Sequence, residues 1–215
     1  MRSRTASAAD DASGPEAASS ENEPTSSSAL ARGHPRRRVV AEWTIVVAVA
    51  VLFALGVRTF AFEAFSVPSG SMEPTLEIGD RILVQKVFFN WHDLHEGAIV
   101  VFARPPADTM CVVAGQNDLV KRVIALPGQS VYSLGNDVFV DGRELSEPYV
   151  TQPLGTPVAS KQHPFKVPAG ELYVMGDNRS DSCDSRSWGP IRGSSVVGKA
   201  ILLLWHNGHP DLHSF

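Results

Sequence analysis

One segment of the chain, residues 39–57, is almost entirely apolar, and this segment limits most strongly what the chain can fold into. Its sequence is VVAEWTIVVAVAVLFALGV. About twenty residues at the rise of an α-helix match a bilayer hydrocarbon core of about 30 Å. The single charged residue, Glu42, lies in the first turn, where it can reach the interface and where the helix dipole favours a negative charge. We therefore predict a transmembrane helix over residues 39–60.

Two other interpretations of this segment remain. A cleaved secretory signal is disfavoured because the preceding segment is too long, the apolar run exceeds the usual length, and no small-x-small site follows it directly. A buried helix of a soluble protein is the second alternative.

The residues before the apolar segment predict both disorder and orientation. Residues 1–38 are rich in Ser, Ala, Glu and Pro and contain no aromatic residue, so they cannot bury enough apolar surface to offset the entropy of ordering. Arginines crowd this side of the helix at Arg32, Arg36, Arg37 and Arg38, whereas Arg58 on the other side is followed by Glu63. This bias predicts a disordered cytoplasmic N-terminus, a single membrane pass, and an extracytoplasmic domain over residues 61–215.

Short apolar runs separated by Gly and Pro follow the helix. Their length and their β-branched residues are typical of strands. The runs lie at Arg81–Lys86, Ala98–Phe102, Leu119–Ile124, Asp137–Val140, Glu171–Met175 and Val196–Trp205. We predict a mainly β domain of short antiparallel strands, with irregular structure around Pro105 and Pro106, over residues 153–157, and from His206 to the end.

Charge and cysteine content exclude several classes of function. The formal net charge is -4 and the pI is near 6.0, which gives no overall basic field for binding nucleic acid. Cys111 and Cys183 are too few for a disulfide scaffold and lack the C-x-x-C spacing of zinc or redox motifs.

The segment 65–76, FSVPSGSMEPTL, is the first candidate for chemistry. Pro68, Gly70 and Pro74 prevent a regular element, and a serine in such a turn can expose both its Oγ and its backbone N–H to a substrate. Ser-Gly-Ser alone is also common in solvated turns, so a catalytic role requires a base elsewhere in the chain.

Lys121 is a better candidate for that base than any histidine. The histidines after the apolar segment lie in polar or irregular settings without a triad signature: His92, His95, His163, His206, His209 and His213. In a strand over residues 119–124, period-two alternation places Lys121 and Arg122 on opposite faces, so one of them must face inward unless the strand bulges. Burial can depress the pKa of a lysine and yield a neutral amine, which arginine cannot supply. The alternative is a lysine whose stem packs on the core while its ammonium reaches water.

The segment 175–189, MGDNRSDSCDSRSWG, is dense in charged and hydrogen-bonding side chains. Acids and arginines at this spacing can form an ion-pair network that shapes a loop. A solvated surface is one alternative. A calcium loop is another, but Arg179 and Arg186 would compete for the carboxylates that a calcium ion needs.

Taken together, these clusters resemble the type I signal peptidase family, in which a Ser-Lys dyad replaces the Ser-His-Asp triad. The shared features, in order, are a membrane helix, Pro-Ser-Gly-Ser-Met-x-Pro-Thr-Leu, Lys-Arg-Val-x-x-Leu-Pro-Gly, Gly-Asp-Asn-Arg and Ser-x-Asp-Ser-Arg, from Val39 to about Gly198. The chain departs from many relatives in having Ser180-Asp181 where they have Asp-Asn, and one membrane helix where they have two.

The resemblance implies a role for six residues. Ser71 is the expected nucleophile and Lys121 the expected general base. Ser69 would complete an oxyanion hole with the Ser71 backbone N–H, and Ser182 would orient the lysine. The expected supporting ion pair is Asp184 with Arg186.

The resemblance also implies acyl transfer through an acyl-enzyme and no metal or organic cofactor. The implied substrates are membrane-tethered secretory preproteins cut after a small-x-small sequence, and the lipid bilayer is the second implied partner. The sequence leaves the oligomeric state open.

Two further features remain as hypotheses. Cys111 and Cys183 would form a disulfide in an oxidising outer compartment, or remain as two free thiols. The aromatic residues Phe88, Phe89 and Trp91 would contact lipid, or belong to an ordinary core.

Two rival functions are testable. A soluble self-cleaving repressor would also use Ser and Lys, but the membrane helix and the lack of a basic domain argue against it, and cleavage of an added preprotein without self-cleavage would exclude it. A non-enzymatic envelope protein would not react at Ser71 with an acylating inhibitor.

Overall fold

The computed structural model describes residues 35–87, 89–109, 111 and 117–215. The chain divides into two units, Met1–Val46 and Val47–Phe215. Most of the predicted disordered segment, residues 1–34, lies outside the described residues.

A long helix, α1, runs from Pro35 to Ala61 and so includes the predicted apolar segment. Within it, the window Val39–Gly56 has a mean hydropathy of 2.3, and none of it is buried against protein. By length and composition this helix can cross a membrane.

Strands dominate the rest of the described chain, as the sequence predicts. They are β1 (Phe62–Ser66), β2 (Arg81–Gln85), β3 (Ile99–Ala103), β4 (Asp118–Ala125), β5 (Ser130–Leu134), β6 (Asp137–Val140), β7 (Arg143–Glu144), β8 (Phe165–Lys166), β9 (Glu171–Met175), β10 (Ile191–Arg192), β11 (Val196–His206) and β12 (His209–Ser214). One short helix, α2 (Ser185–Trp188), lies between β9 and β10.

Within the described residues, the strands form two antiparallel sheets. The larger has the order β1-β2-β11-β3-β4-β9-β10, with β12 paired to β11, and the smaller has the order β7-β6-β5-β8. Strand β4 is therefore an interior strand, with Lys121 opposite Val100 of β3 and Arg122 opposite Met175 of β9.

The position of β4 explains why both of its basic residues are buried. Its side chains enter three hydrophobic clusters, with Val120 in one, Val123 in another and Ile124 in a third. Apolar residues thus cover both faces of the strand, a pattern more usual for parallel sheets. Lys121 is 3% exposed and Arg122 is 8% exposed, so both are largely shielded from solvent.

The prediction of irregular structure from His206 to the end is wrong. The strand β11 continues to His206 and pairs with β12 in a hairpin. Asn207 and Gly208 form its turn, with φ of 50° and 80°. Positive φ at both turn residues matches the right-handed twist of the strands, and Asn-Gly is the sequence that favours such a turn.

The aromatic residues after β2 pack against the core where the structure describes them. Phe89 and Trp91 are half-buried and pack against the cluster around Val100 and Phe102. Phe88 lies outside the described residues.

Candidate active site

The predicted nucleophile lies in a loop that β1 and β2 hold closed. The Val67 N–H donates to Asp80 O at 2.9 Å, and the Gly79 N–H donates to Val67 O at 2.8 Å. Between these bonds, a 3₁₀ turn over Gly70–Met72 carries Ser71. The apolar side chain of Met72, only 1% exposed, enters the core beside this turn, so the fold fixes the position of the serine.

Lys121 contacts Ser71 directly. The distance between Lys121 Nζ and Ser71 Oγ is 2.5 Å. Burial lowers the pKa of Lys121 from 10.5 to about 8, while the carboxylates of Asp184, Asp177 and Asp108 act in the opposite direction. A lysine with this pKa is partly neutral near pH 8, which a general base requires.

The end of β9 passes very close to the other side of Ser71. A Cβ added at Gly176 would lie 2.3 Å from Ser71 O and 2.2 Å from Ser182 Oγ, so glycine is required by space. Two residues further on, the Asn178 N–H donates to Ser71 O at 3.2 Å, and Asn178 Nδ2 donates to Gly70 O at 3.1 Å. These contacts hold the backbone of the serine turn from outside its own loop.

The two other predicted serines lie beside the dyad. Ser69 Oγ is 3.4 Å from Ser71 Oγ. Ser182 lines the same cleft as Lys121, but its Oγ is buried and has no hydrogen-bond partner among the described residues. The predicted hydrogen bond between Ser182 Oγ and Lys121 is therefore not made in this structure.

Asp184 and Arg186 form a buried ion pair. Arg186 Nε donates to Asp184 Oδ1 at 2.8 Å, and Arg186 Nη2 donates to Asp184 Oδ2 at 2.7 Å. The same carboxylate accepts the Gly176 N–H at 3.0 Å and caps the start of α2 by accepting the Arg186 N–H. The pair thus fixes the strand end that packs against Ser71.

A second buried ion pair was not predicted from the sequence. Arg122 donates to Asp177 from Nε at 2.8 Å and from Nη2 at 2.5 Å. Thr75 Oγ1 donates to the same carboxylate at 2.6 Å, and the Tyr149 ring lies 3.8 Å from the guanidinium. This cluster joins β4, the end of β9 and the serine loop. The available signals were the motifs Lys-Arg, which contains Arg122, and Gly-Asp, which contains Asp177. The sequence does not show that the two residues pair, because they lie 55 positions apart.

The dyad opens into a cleft of about 530 Å³. Its lining residues are Ser69, Gly70, Ser71, Asp108, Cys111, Leu119, Lys121, Ser180, Asp181, Ser182, Cys183, Ser187 and Trp188. No described histidine is among them.

The hypothesised disulfide is present and forms part of the cleft wall. Cys111 and Cys183 are bridged, with a Cα–Cα distance of 6.3 Å. Among the described residues, these two cysteines and Asp108 form the group whose spacing would suit a metal ion, since their ligand atoms lie within 4.8 Å of one another. The sulfurs are bonded to each other and Asp108 is paired with Arg104, so this group does not suit a metal in the disulfide form.

A serine hydroxyl beside a buried amine, at the wall of a cleft, is the arrangement expected of a serine hydrolase that uses lysine as its base. Comparison with known proteins agrees with this class. A family model described as "Signal peptidase, peptidase S26" matches residues 40–205. The chain belongs to this family and is a peptidase.

Individual relatives cover most of the chain. A probable signal peptidase I-2 of Synechocystis sp. is 39% identical over 73% of this chain and 69% of its own length. Signal peptidase I of Leptolyngbya laminosa is 37% identical over 74% of this chain and 76% of its own length. A crystal structure of a signal peptidase I from Enterococcus faecalis matches with 28% identity and a TM-score of 0.39, over 49% of this chain and 95% of that one.

Proposed function

We propose that this protein removes signal peptides from secretory preproteins, cutting after a small-x-small sequence through a Ser71–Lys121 dyad. The observation that carries the proposal is the 2.5 Å contact between Lys121 Nζ and Ser71 Oγ, at a lysine whose pKa is lowered to about 8. Membership of the signal peptidase family supports the substrate class, and the small-x-small preference is the one that the resemblance of the sequence implies.

The reaction begins when Ser71 Oγ attacks the carbonyl carbon of the scissile peptide. The neutral amine of Lys121 accepts the hydroxyl proton as the C–O bond forms. The resulting tetrahedral intermediate collapses, the C–N bond breaks, and the Lys121 ammonium returns the proton to the leaving amine. Water then attacks the acyl-enzyme with Lys121 as base and releases the signal peptide.

The oxyanion of the intermediate requires hydrogen-bond donors. The Ser71 N–H and the Ser69 hydroxyl are the donors of the proposal, which the 3.4 Å distance between the two serine Oγ atoms supports. Donors aimed at a developing oxyanion supply much of the rate in acyl transfer. Asn178 and Gly176 act indirectly, because they fix the turn that presents the Ser71 N–H.

Helix α1 is the membrane anchor in this proposal, with the N-terminus in the cytoplasm and the β domain outside. The support is the exposed apolar window of α1 and the arginines that precede it. In intact spheroplasts, external protease should digest a tag fused after Phe215 and spare a tag fused before Met1. The reverse pattern would contradict this topology.

The dyad is tested by cleavage of a preprotein with an Ala-x-Ala site by the detergent-solubilised protein. Ser71→Ala and Lys121→Ala should each reduce kcat/KM by at least about a thousandfold, since the two groups act as a unit. Lys121→Arg should not restore activity, because a guanidinium does not become a neutral base.

Exposed residues away from the cleft provide matched controls. Ser146→Ala and Lys161→Ala make the same chemical changes and should leave kcat/KM unchanged. Substantial activity in folded Ser71→Ala or Lys121→Ala would show that the nucleophile or the base is a different residue.

A further inference from the structure

The cleft lining includes a carboxylate that neither takes part in the proposed reaction nor pairs with a described residue, that of Asp181. Among the described residues that line the cleft, three carry charged side chains: Asp108, Lys121 and Asp181. Asp108 is buried, pairs with Arg104, and accepts the Cys111 N–H at 3.1 Å. Asp181 is exposed, and its carboxylate has no hydrogen bond or ion pair within the part of the chain that the structure describes.

The backbone that carries Asp181 is held firmly next to the nucleophile. Asp181 ends the 3₁₀ turn Arg179–Asp181, and its N–H donates to Asn178 O at 3.1 Å. Asn178 in turn donates to the carbonyl of Ser71. Arg179 is 1% exposed, donates from Nε to Gly176 O at 3.0 Å, and pairs with Glu147. The carboxylate is therefore attached to a rigid wall of the cleft.

The other carboxylates close to the dyad are neutralised by arginines. Asp177 is paired with Arg122, and Asp184 is paired with Arg186. Above the pKa of Lys121, which is about 8, Asp181 is consequently the uncompensated charge among the described side chains that line the cleft. A substrate crossing the cleft beside Ser71 meets a negative potential.

We propose that Asp181 makes the enzyme select preproteins with a basic side chain within a few residues of the scissile bond and disfavour those with an acidic one. This inference rests on the proposed function. An exposed pair of opposite charges changes an equilibrium by up to about fivefold. Repulsion lowers kcat/KM for a substrate with an acidic side chain. The kcat/KM values for Lys and Glu substrates should therefore differ by about tenfold.

The test uses the full-length protein in detergent at pH 9, where most of Lys121 is neutral and both Asp181 and a substrate lysine are charged. Peptides with an Ala-x-Ala site carry Lys, Gln or Glu at one position at a time, two residues before the scissile bond or one to three residues after it. At one or more positions, kcat/KM for Lys should exceed that for Glu about tenfold. Asp181→Asn should lower this ratio to about one or two, with a smaller change in kcat/KM for the Gln peptide than for the charged peptides, and added salt should reduce the native ratio.

Asp137→Asn is the matched control, since Asp137 is exposed on β6, outside the cleft lining, and the substitution changes the net charge equally. Its Lys/Glu ratio should equal that of the native protein. A native ratio near one at every position, a ratio that survives in Asp181→Asn, or an equal fall in Asp137→Asn would each overturn the inference. Failure to cleave any peptide, including the Gln series, would instead contradict the proposed function, and the inference would fall with it.

Discussion

Lys121 shows how the fold changes the chemistry of a single residue. Exposed lysine is protonated at neutral pH and cannot accept a proton from serine. On β4 it is shielded by apolar neighbours on both faces of the sheet, and desolvation is the largest cause of its lowered pKa. The nearby carboxylates limit this effect, since they favour the ammonium. Each carboxylate is paired with an arginine, which weakens its attraction for the lysine.

The pKa of Lys121 predicts the pH dependence of activity. The neutral fraction of a base rises tenfold per pH unit below its pKa and levels off above it. We expect kcat/KM for a neutral peptide to rise between about pH 6 and pH 8 and to reach a plateau above pH 8. A midpoint near 6.5 would indicate a histidine base instead.

The same lowered pKa predicts that Lys121 destabilises the fold. The pKa is about 8 in the native state and 10.5 when solvated, so the unfolded chain binds more protons between these values and stability rises with pH across that window. Below pH 8 the loss of stability reaches its full value, which is about 3 kcal/mol. Lys121→Met should therefore raise the free energy of unfolding at pH 7 by about 1–3 kcal/mol, and so raise Tm. This gain should shrink towards pH 10.

Thermal unfolding of detergent-solubilised protein at pH 7 and pH 10 measures this effect. Lys161→Met, at an exposed site, should change Tm little at either pH. A lower Tm for Lys121→Met at pH 7 would contradict the prediction, because it would mean that the contact with Ser71 stabilises the fold more than burial of the amine destabilises it.

Gly176 predicts a second effect at the scale of a residue. The methyl group of Gly176→Ala would overlap Ser71 O and Ser182 Oγ, so the serine turn and the end of β9 must separate. We expect kcat/KM to fall by at least about a hundredfold, with a loss of stability of about 1–3 kcal/mol. Gly56→Ala is the control, because a Cβ at Gly56 meets nothing within 4 Å. Near-native activity in Gly176→Ala would show that this close approach is unimportant for catalysis.

At the scale of elements, local sequence patterns were sufficient for six of the twelve described strands and insufficient for their partners. The runs of apolar residues predicted β6 and β9 with the bounds that the structure has. The strands β1 and β5 were among those not predicted, because each has two polar residues among its five and so lacks a continuous apolar run. The pairing of Arg122 with Asp177 depends on β4 and β9 being neighbours, which no local pattern specifies.

The disulfide is an element of the cleft wall that can be removed. It links positions 72 residues apart, and the chain-entropy model gives about 4 kcal/mol for a loop of this length, with measured values of about 2–4 kcal/mol being typical. We expect the double variant Cys111→Ser, Cys183→Ser to unfold at a lower temperature than the native protein. Because Cys183 lies between Ser182 and Asp184, we also expect kcat/KM to fall.

Reductant separates the effect of the bond from that of the substitutions. It should lower the Tm of the native protein towards that of the double variant and leave the variant unchanged. Equal Tm values for oxidised native protein and variant would show that the bridge contributes nothing to stability.

At the scale of the whole molecule, anchoring by α1 would confine the enzyme to the same surface as a membrane-tethered preprotein. Confinement replaces an encounter in solution by one at a high effective concentration, so weak contacts in a small cleft are sufficient for turnover. This predicts different behaviour for tethered and soluble substrates of the same cleavage sequence. A tethered substrate responds to its density in the membrane, whereas a soluble peptide responds to its bulk concentration.

Surface dilution tests this prediction with the full chain reconstituted in vesicles. When lipid is increased tenfold at constant total enzyme and preprotein, cleavage of the tethered preprotein should slow by about tenfold under subsaturating conditions, because its density in the membrane falls by that factor. Cleavage of a soluble peptide with the same site should be unchanged, which controls for inhibition by lipid. A tethered substrate whose rate is insensitive to added lipid would show that the two molecules meet through solution, and anchoring would then have no role in catalysis.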